Sequence, residues 1–399
     1  MAGAGGVTSL TIPHDAARTV ARPAAATARL TGIDAVRGLV MVIMLLDHVR
    51  DTFCTHWQVG DPMDARIVAP ALFFSRTLAS LCAPTFIALT GLSAWLYGQT
   101  HSRAETSRFL LTRGLFLMLL EVTLVSFAWS GRLPPQTLWL QVIWAIGVCM
   151  IALAGLIHLP RIAIAMIGGV IVAGHNLLDP IVLTPGSPWF EPWAMIHQRS
   201  AFAFMGITIK TSYPVLPWIG VIALGYAIGP WFQRTAEERR RWLASLGFAL
   251  ILAFVLLRTI NGYGDVPWAP VPGDTLRSVM SFMALTKYPP SLLFLLPTLG
   301  VAALLLASFE GRKGPVTQTL AIMGGAPMFF YLLHLYVLRI LYTGAIAIWG
   351  PNHGEVFGLP SVGAMWLMYL LLIVPLYVPT KWFAELKRRR RDLHWLRYL

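Results

Sequence analysis

The stretch Ile33-Asp-Ala-Val-Arg-Gly-Leu-Val-Met-Val-Ile-Met-Leu-Leu-Asp-His-Val-Arg-Asp-Thr-Phe53 is uninterruptedly apolar only over 39–46. Asp34, Arg37, Asp47, His48, Arg50 and Asp51 crowd its two ends. Its middle belongs in a bilayer, but each Asp or Arg near the bilayer centre costs about 2.5 to 3.5 kcal/mol on insertion scales. The ionisable side chains must therefore face protein or water, so this helix requires a bundle around it. Arg37 and His48 stand eleven residues apart. On an α-helix that returns them to within roughly 20° of one face, about 16 Å apart along the axis. Asp34 and Asp51 lie three residues outside this pair and extend one polar stripe. The plainer alternative is two interfacial clusters, with Arg37 and Arg50 reaching toward opposite surfaces.

The rest of the chain supplies that bundle. Of 399 residues 56% are apolar and 12% charged, against about a quarter charged in soluble domains. Apolar runs predict spans at 33–53, 68–97, 109–129, 137–157, 162–178, 215–232, 242–260, 291–309, 320–346 and 362–378. The expected architecture is an all-α, polytopic membrane bundle of about ten helices with both termini cytoplasmic. Residues 1–32 read as a disordered cytoplasmic tail without a signal-peptide core, 33–380 as the transmembrane domain and 381–399 as a basic cytoplasmic tail.

The net charge of +13 follows the spans. Arg103, Arg108 and Arg113 follow the second, Arg239 to Arg241 the sixth, Arg312 and Lys313 the eighth, and Lys387 to Arg391 the last. That placement is the positive-inside pattern and removes the argument for nucleic acid. Cys54, Cys82 and Cys149 show no metal-ligand spacing, and no metal is expected. Three longer segments, 54–67, 179–214 and 261–290, are expected to build an outer vestibule. Their tryptophans, with Trp218, read first as interfacial anchors and second as ligand contacts.

Other ionisable groups interrupt the spans. Glu121, Arg76 and Arg339 each suit an interhelical ion pair or catalysis. His334 and His175 read as satisfied interior histidines or as reacting ones. Together they imply a polar chamber.

Several motifs, taken as an ordered set, resemble a known family. They are Asp34-Ala-Val-Arg-Gly38, Met44-Leu-Leu-Asp-His-Val-Arg-Asp51, Cys82-Ala-Pro-Thr-Phe86, Tyr213-Pro-Val-Leu-Pro-Trp218, Lys287-Tyr-Pro-Pro-Ser291 and Tyr331-Leu-Leu-His334. The family is that of bacterial multi-pass proteins related to the catalytic domain of heparan-α-glucosaminide N-acetyltransferase. The likeness runs from about residue 30 to 342. It implies transfer of an acyl group, usually acetyl, from cytoplasmic acyl-CoA to a sugar on the far side of the membrane. Arg37 would lie near the CoA phosphates and His48 would be the catalytic histidine. The lysosomal enzyme carries Asn where His48 stands and its histidine somewhat later, so His56 stays open as an alternative. Heparan sulfate itself is not carried over as the acceptor.

On this reading the phosphates meet Arg37, with Asp34 beside it, and Arg103, Arg108 and Arg113. His48 deprotonates the acceptor or accepts the acyl group. Asp47 or Asp51 orients the imidazole, and helical phase favours Asp51. His334, Arg258 or Lys287 stabilises the oxyanion, and Trp218, Glu121 and His56 complete the acceptor site. The expected partners are the bilayer of a bacterial inner membrane, acyl-CoA and an extracytoplasmic sugar or glycan. Monomer and homodimer are both compatible. The rival reading is a transporter or proton-coupled permease using the buried Asp, His, Glu and Arg as a relay.

Overall fold

The computed structural model describes residues 1–3, 31–54, 63–390, 392–393 and 396. Contacts divide the chain into Met1–Leu30 and Thr31–Leu399, and the second unit holds every helix and strand named below. The expected N-terminal tail, apart from 1–3 and 31–32, and His56 lie outside the described residues.

Helix α1 (Thr31–Phe53) is followed by α2 (Pro70–Ala79) and α3 (Cys82–Gly98), a single expected span broken by one turn. Next come α4 (Arg103–Leu120), a π-turn at Glu121–Val125, and α5 (Ser126–Ser130). Strand β1 (Thr137–Leu140) precedes α6 (Val142–Leu156), and α7 (Arg161–Gly174) ends in a 3-10 turn, His175–Leu178. Helix α8 (Phe190–Ile196), β2 (Ala201–Phe204) and β3 (Ile207–Thr211) lead to α9 (Leu216–Ala227) and α10 (Ala236–Ile260). The chain finishes with α11 (Thr275–Met283), α12 (Leu292–Phe309), α13 (Pro315–Met323), α14 (Pro327–Trp349) and α15 (Val362–Arg389).

Among the described residues, seven helical segments are long and apolar enough to cross a membrane: Pro70–Gly98, Arg103–Ser130, Arg161–Leu178, Ala236–Ile260, Leu292–Phe309, Pro327–Trp349 and Val362–Arg389. Helices α1, α6 and α9, at three further positions where spans were expected, fall outside those limits by charge or length and pack among the seven. The fold is a helical membrane bundle. Its lipid-facing side is visible as exposed apolar residues, such as Ile162 and Val170 on α7, Phe248 and Leu252 on α10, and Leu371 and Val374 on α15. On α1, by contrast, 16 of 23 residues are buried, and it packs against α3, α12, α13, α14 and α15. That is the surround its charge pattern demanded.

Three expectations need correction. The fourth span does not begin as helix at 137, because Thr137–Leu140 pairs in parallel with β3 and antiparallel β2 completes a three-stranded sheet. Alternation of Thr, Trp and Leu over so short a run is not separable from a helical start. The ninth span is two helices, α13 and α14, separated at Gly324-Gly325. The tenth continues past 378 to Arg389, carrying the basic run into the same helix.

Candidate functional site

The site is set by how closely α13 approaches α1. A Cβ on Gly38 would collide with the backbone carbonyl of Leu320, and one on Gly324 with that of Asp34. Only glycine allows the two backbones to lie against each other here. The chain then turns at Gly324-Gly325 and α14 runs on, carrying His334 to His48 near the other end of α1.

His334 Nδ1 lies 2.7 Å from the carbonyl oxygen of Phe330, four residues back on α14. A carbonyl only accepts, so Nδ1 carries the proton and the neutral ring has an acceptor at Nε2. That Nε2 stands 2.5 Å from His48 Nδ1, with the rings stacked at 4.9 Å. His48 Nδ1 must therefore donate. The remaining nitrogen, His48 Nε2, is left with its lone pair outside this hydrogen-bond chain, and His48 lines a large cavity. Trp129 and Tyr331 flank His48 edge-on at 5.5 and 5.8 Å. A backbone carbonyl thus fixes the tautomer of a histidine one ring away.

Beside this pair, Asp47 gathers three cations. Arg50 donates to it at 3.1 Å and Arg76 bonds its other oxygen. Lys287 stands 4.0 Å away. Arg50 also holds Asp51 at 2.6 Å. Arg76 reaches on to the Tyr288 hydroxyl at 3.1 Å, and Tyr288 meets Tyr213 at 3.4 Å. Tyr288 lies in the loop before α12. Burial pushes its phenol up, but Lys287 and Arg76 outweigh burial and bring it down to about 8.

The cavity has a volume of about 1640 Å³. All three segments expected to form a vestibule contribute to it, through Asp64, Arg199 and Asp265 among others. Eight Arg and Lys side chains face it against four Asp, so with neutral histidines its walls are net positive. An anionic group would be drawn in, and the apolar surround strengthens that field.

Residues 29–259, more than half of the chain, match the family model described as heparan-alpha-glucosaminide N-acetyltransferase, catalytic. The chain belongs to this family. No curated protein matches it. Membership supports a transmembrane acyltransferase and covers the first-helix motif as well as Tyr213 to Trp218. The second half of the site, Lys287, Tyr288 and His334, lies beyond the matched residues and joins the first by folding alone.

The structure brings together His48, His334, Asp47, Asp51, Lys287 and Arg258, and separates the rest. Neither Asp51, favoured by helical phase, nor Asp47 hydrogen-bonds to His48; both carboxylates go to arginines, and His334 takes the position expected for them. Arg258 lines the cavity, but its donors go to the carbonyls of Val266, Ser281, Phe282 and Ala284, which makes it a clamp on the loop around α11. Glu121 accepts from the Trp144 amide at 3.0 Å and so caps the start of α6. Trp218 is fully buried against Tyr213 and does not line the cavity. Arg339 bonds the carbonyls of Trp129 and Ser130, ending α5.

Arg37 is held at the other end of α1 by Asp34 at 3.0 Å and by Ser93 at 2.9 Å. Arg113 lies over the Phe109 ring, and Arg108 is exposed. Among the described residues the cavity lining does not extend to any of these. Sequence reasoning misses Arg50 and Tyr288 as site members and leaves Arg76 open between an interhelical ion pair and catalysis; the structure pairs it with Asp47. A Tyr inside Lys287-Tyr-Pro-Pro-Ser291 is the signal that could have found Tyr288.

Proposed function

We propose that this chain transfers an acyl group, acetyl in the first instance, from acyl-CoA to a hydroxyl or amine of a sugar or glycan, with His48 as general base. The carrying observation is the hydrogen-bond chain from the Phe330 carbonyl through His334 to His48, a residue that lines the cavity, which leaves the His48 lone pair on Nε2. That lone pair takes the proton of the acceptor O–H or N–H as the acceptor atom bonds to the thioester carbonyl carbon. The C–S bond then breaks, and the departing thiolate collects the proton from His48. Lys287 and Arg50, with an NH1 free of hydrogen bonds, supply positive charge on the side where the oxyanion forms.

Orientation follows from the basic flanks of the spans. The Arg37 end of α1 is cytoplasmic and meets the donor, while the cavity faces the opposite side of a bacterial inner membrane and receives the acceptor. The surplus of cationic lining supports an acceptor that carries a carboxylate or another anionic group. Purified full-length protein in detergent, given labelled acetyl-CoA and a panel of neutral and anionic amino sugars, should release CoA and label an anionic acceptor. Undiminished transfer by His48→Ala would overturn the role of His48. Substrate flux in vesicles without CoA release would overturn the enzyme reading.

A further inference from the structure

A second pair of histidines lies away from the cavity. His175 opens the 3-10 turn at the end of α7, Asp179 follows four residues later, and His197 follows the last residue of α8. His197 Nε2 stands 2.9 Å from Asp179 Oδ1, and the two imidazoles meet edge-on at 5.7 Å. One ligand atom from each of the three residues lies within 4.8 Å of the other two. His175 is only 2% exposed, yet among the described residues neither of its ring nitrogens has a hydrogen-bond partner, and His197 Nδ1 has none either. Buried polar atoms without partners need a physical explanation. Interior packing alone would favour an apolar side chain at 175.

The geometry points to a divalent-cation site with His175, Asp179 and His197 as its protein ligands, and zinc as the ion it fits best. Two neutral imidazoles and one carboxylate are a zinc-type donor set, with water able to take the fourth place. Tetrahedral bonds of about 2.0 to 2.1 Å put ligand atoms roughly 3.3 Å apart. Side-chain rotations of about an ångström would therefore close this set around an ion. Asp179 is exposed, so an entry route exists. The second layer is in place as well. Asn176 Nδ2 donates to Asp179 Oδ2 at 2.8 Å while its Oδ1 accepts from the Leu292 amide at 2.9 Å. That fixes the carboxylate and ties the turn to the start of α12.

None of the three residues lines the cavity. The ion is structural. It pins the end of α7 to the segment that follows α8, which delivers Arg199 and Tyr213 to the cavity wall.

The test uses untagged full-length protein, stripped with a chelator and titrated with Zn²⁺ against a chromophoric competitor and with Co²⁺. The wild type should take up one equivalent and give the visible absorption of low-coordinate Co²⁺. His175→Ala and His197→Ala should lose that binding, and Asn176→Ala should weaken it by about tenfold to a hundredfold. Failure of the stripped wild type to bind either ion stoichiometrically would overturn the proposal whatever the variants do. Equal affinity in folded His175→Gln and wild type would overturn it too.

Discussion

The two buried histidine pairs of this chain face opposite conditions. In one, His334 donates from Nδ1 to a backbone carbonyl and accepts from His48, so every nitrogen but one is accounted for. In the other, His175 and His197 leave three nitrogens without a partner among the described residues and have Asp179 close to both. The first pair is arranged to move a proton, because one lone pair is left over on a ring that lines a cavity and its tautomer is fixed from behind. The second is arranged to share lone pairs, because no other group among the described residues takes them and a carboxylate supplies charge. Burial is the same; what the last nitrogen faces is different.

The contrast is broken most severely at His48. His48→Ala should lower acyl transfer by about 10² to 10⁴-fold, measured as CoA release. His334→Ala should cost less, on the order of tenfold to a hundredfold in kcat with KM little changed, because it acts by orienting His48. An equal loss in both variants would mean that the two rings react as one unit.

Asp47 is a question of stability before it is one of chemistry. Asp47→Ala would leave Arg50, Arg76 and Lys287 buried without their common counter-charge, and should destabilise by about 3 to 5 kcal/mol. Thermal unfolding in detergent reads this out, and a matching loss in Arg76→Ala would locate the effect in the pair. Chelation separates the two histidine pairs. It should lower the unfolding temperature of wild type and His48→Ala alike, and leave His175→Ala unmoved.

The smallest expected effect belongs to Tyr288. Its phenol ionises near 8 in the folded protein, below the ordinary value of about 10. The folded state therefore prefers the ionised form, so this contribution to stability grows as pH rises from about 8 toward 10 and is lost as pH falls through 8. Tyr288→Phe should flatten that rise and remove a tyrosinate absorbance step centred there.

Much of the architecture was legible because apolar runs and their basic flanks are local signals. Helix α1 announced both its burial and its polar ends, and Arg76 and Asp47 were each visible as charges in need of a partner. Which partner each would find was not legible. Asp51 had the right helical phase for His48, but Arg50, its neighbour in sequence, holds it, while His334 arrives from 286 residues away. Glu121 suited an ion pair, catalysis or the acceptor site equally, because its actual role depends on an amide of another helix. The break at Gly324-Gly325 was hidden inside an apolar run, since a turn that packs against α1 need not be polar.

The placement of α1 has a consequence for biogenesis. It is made well before α12 to α15, which supply much of what shields its charges. During synthesis Asp47, Arg50 and His48 leave the ribosome long before Lys287 and His334 exist, so α1 must wait in a half-shielded state at the insertion machinery. Substitutions in α14 should therefore be felt at the opposite end of the chain, as turnover of nascent protein whose first helix never finds its final neighbours.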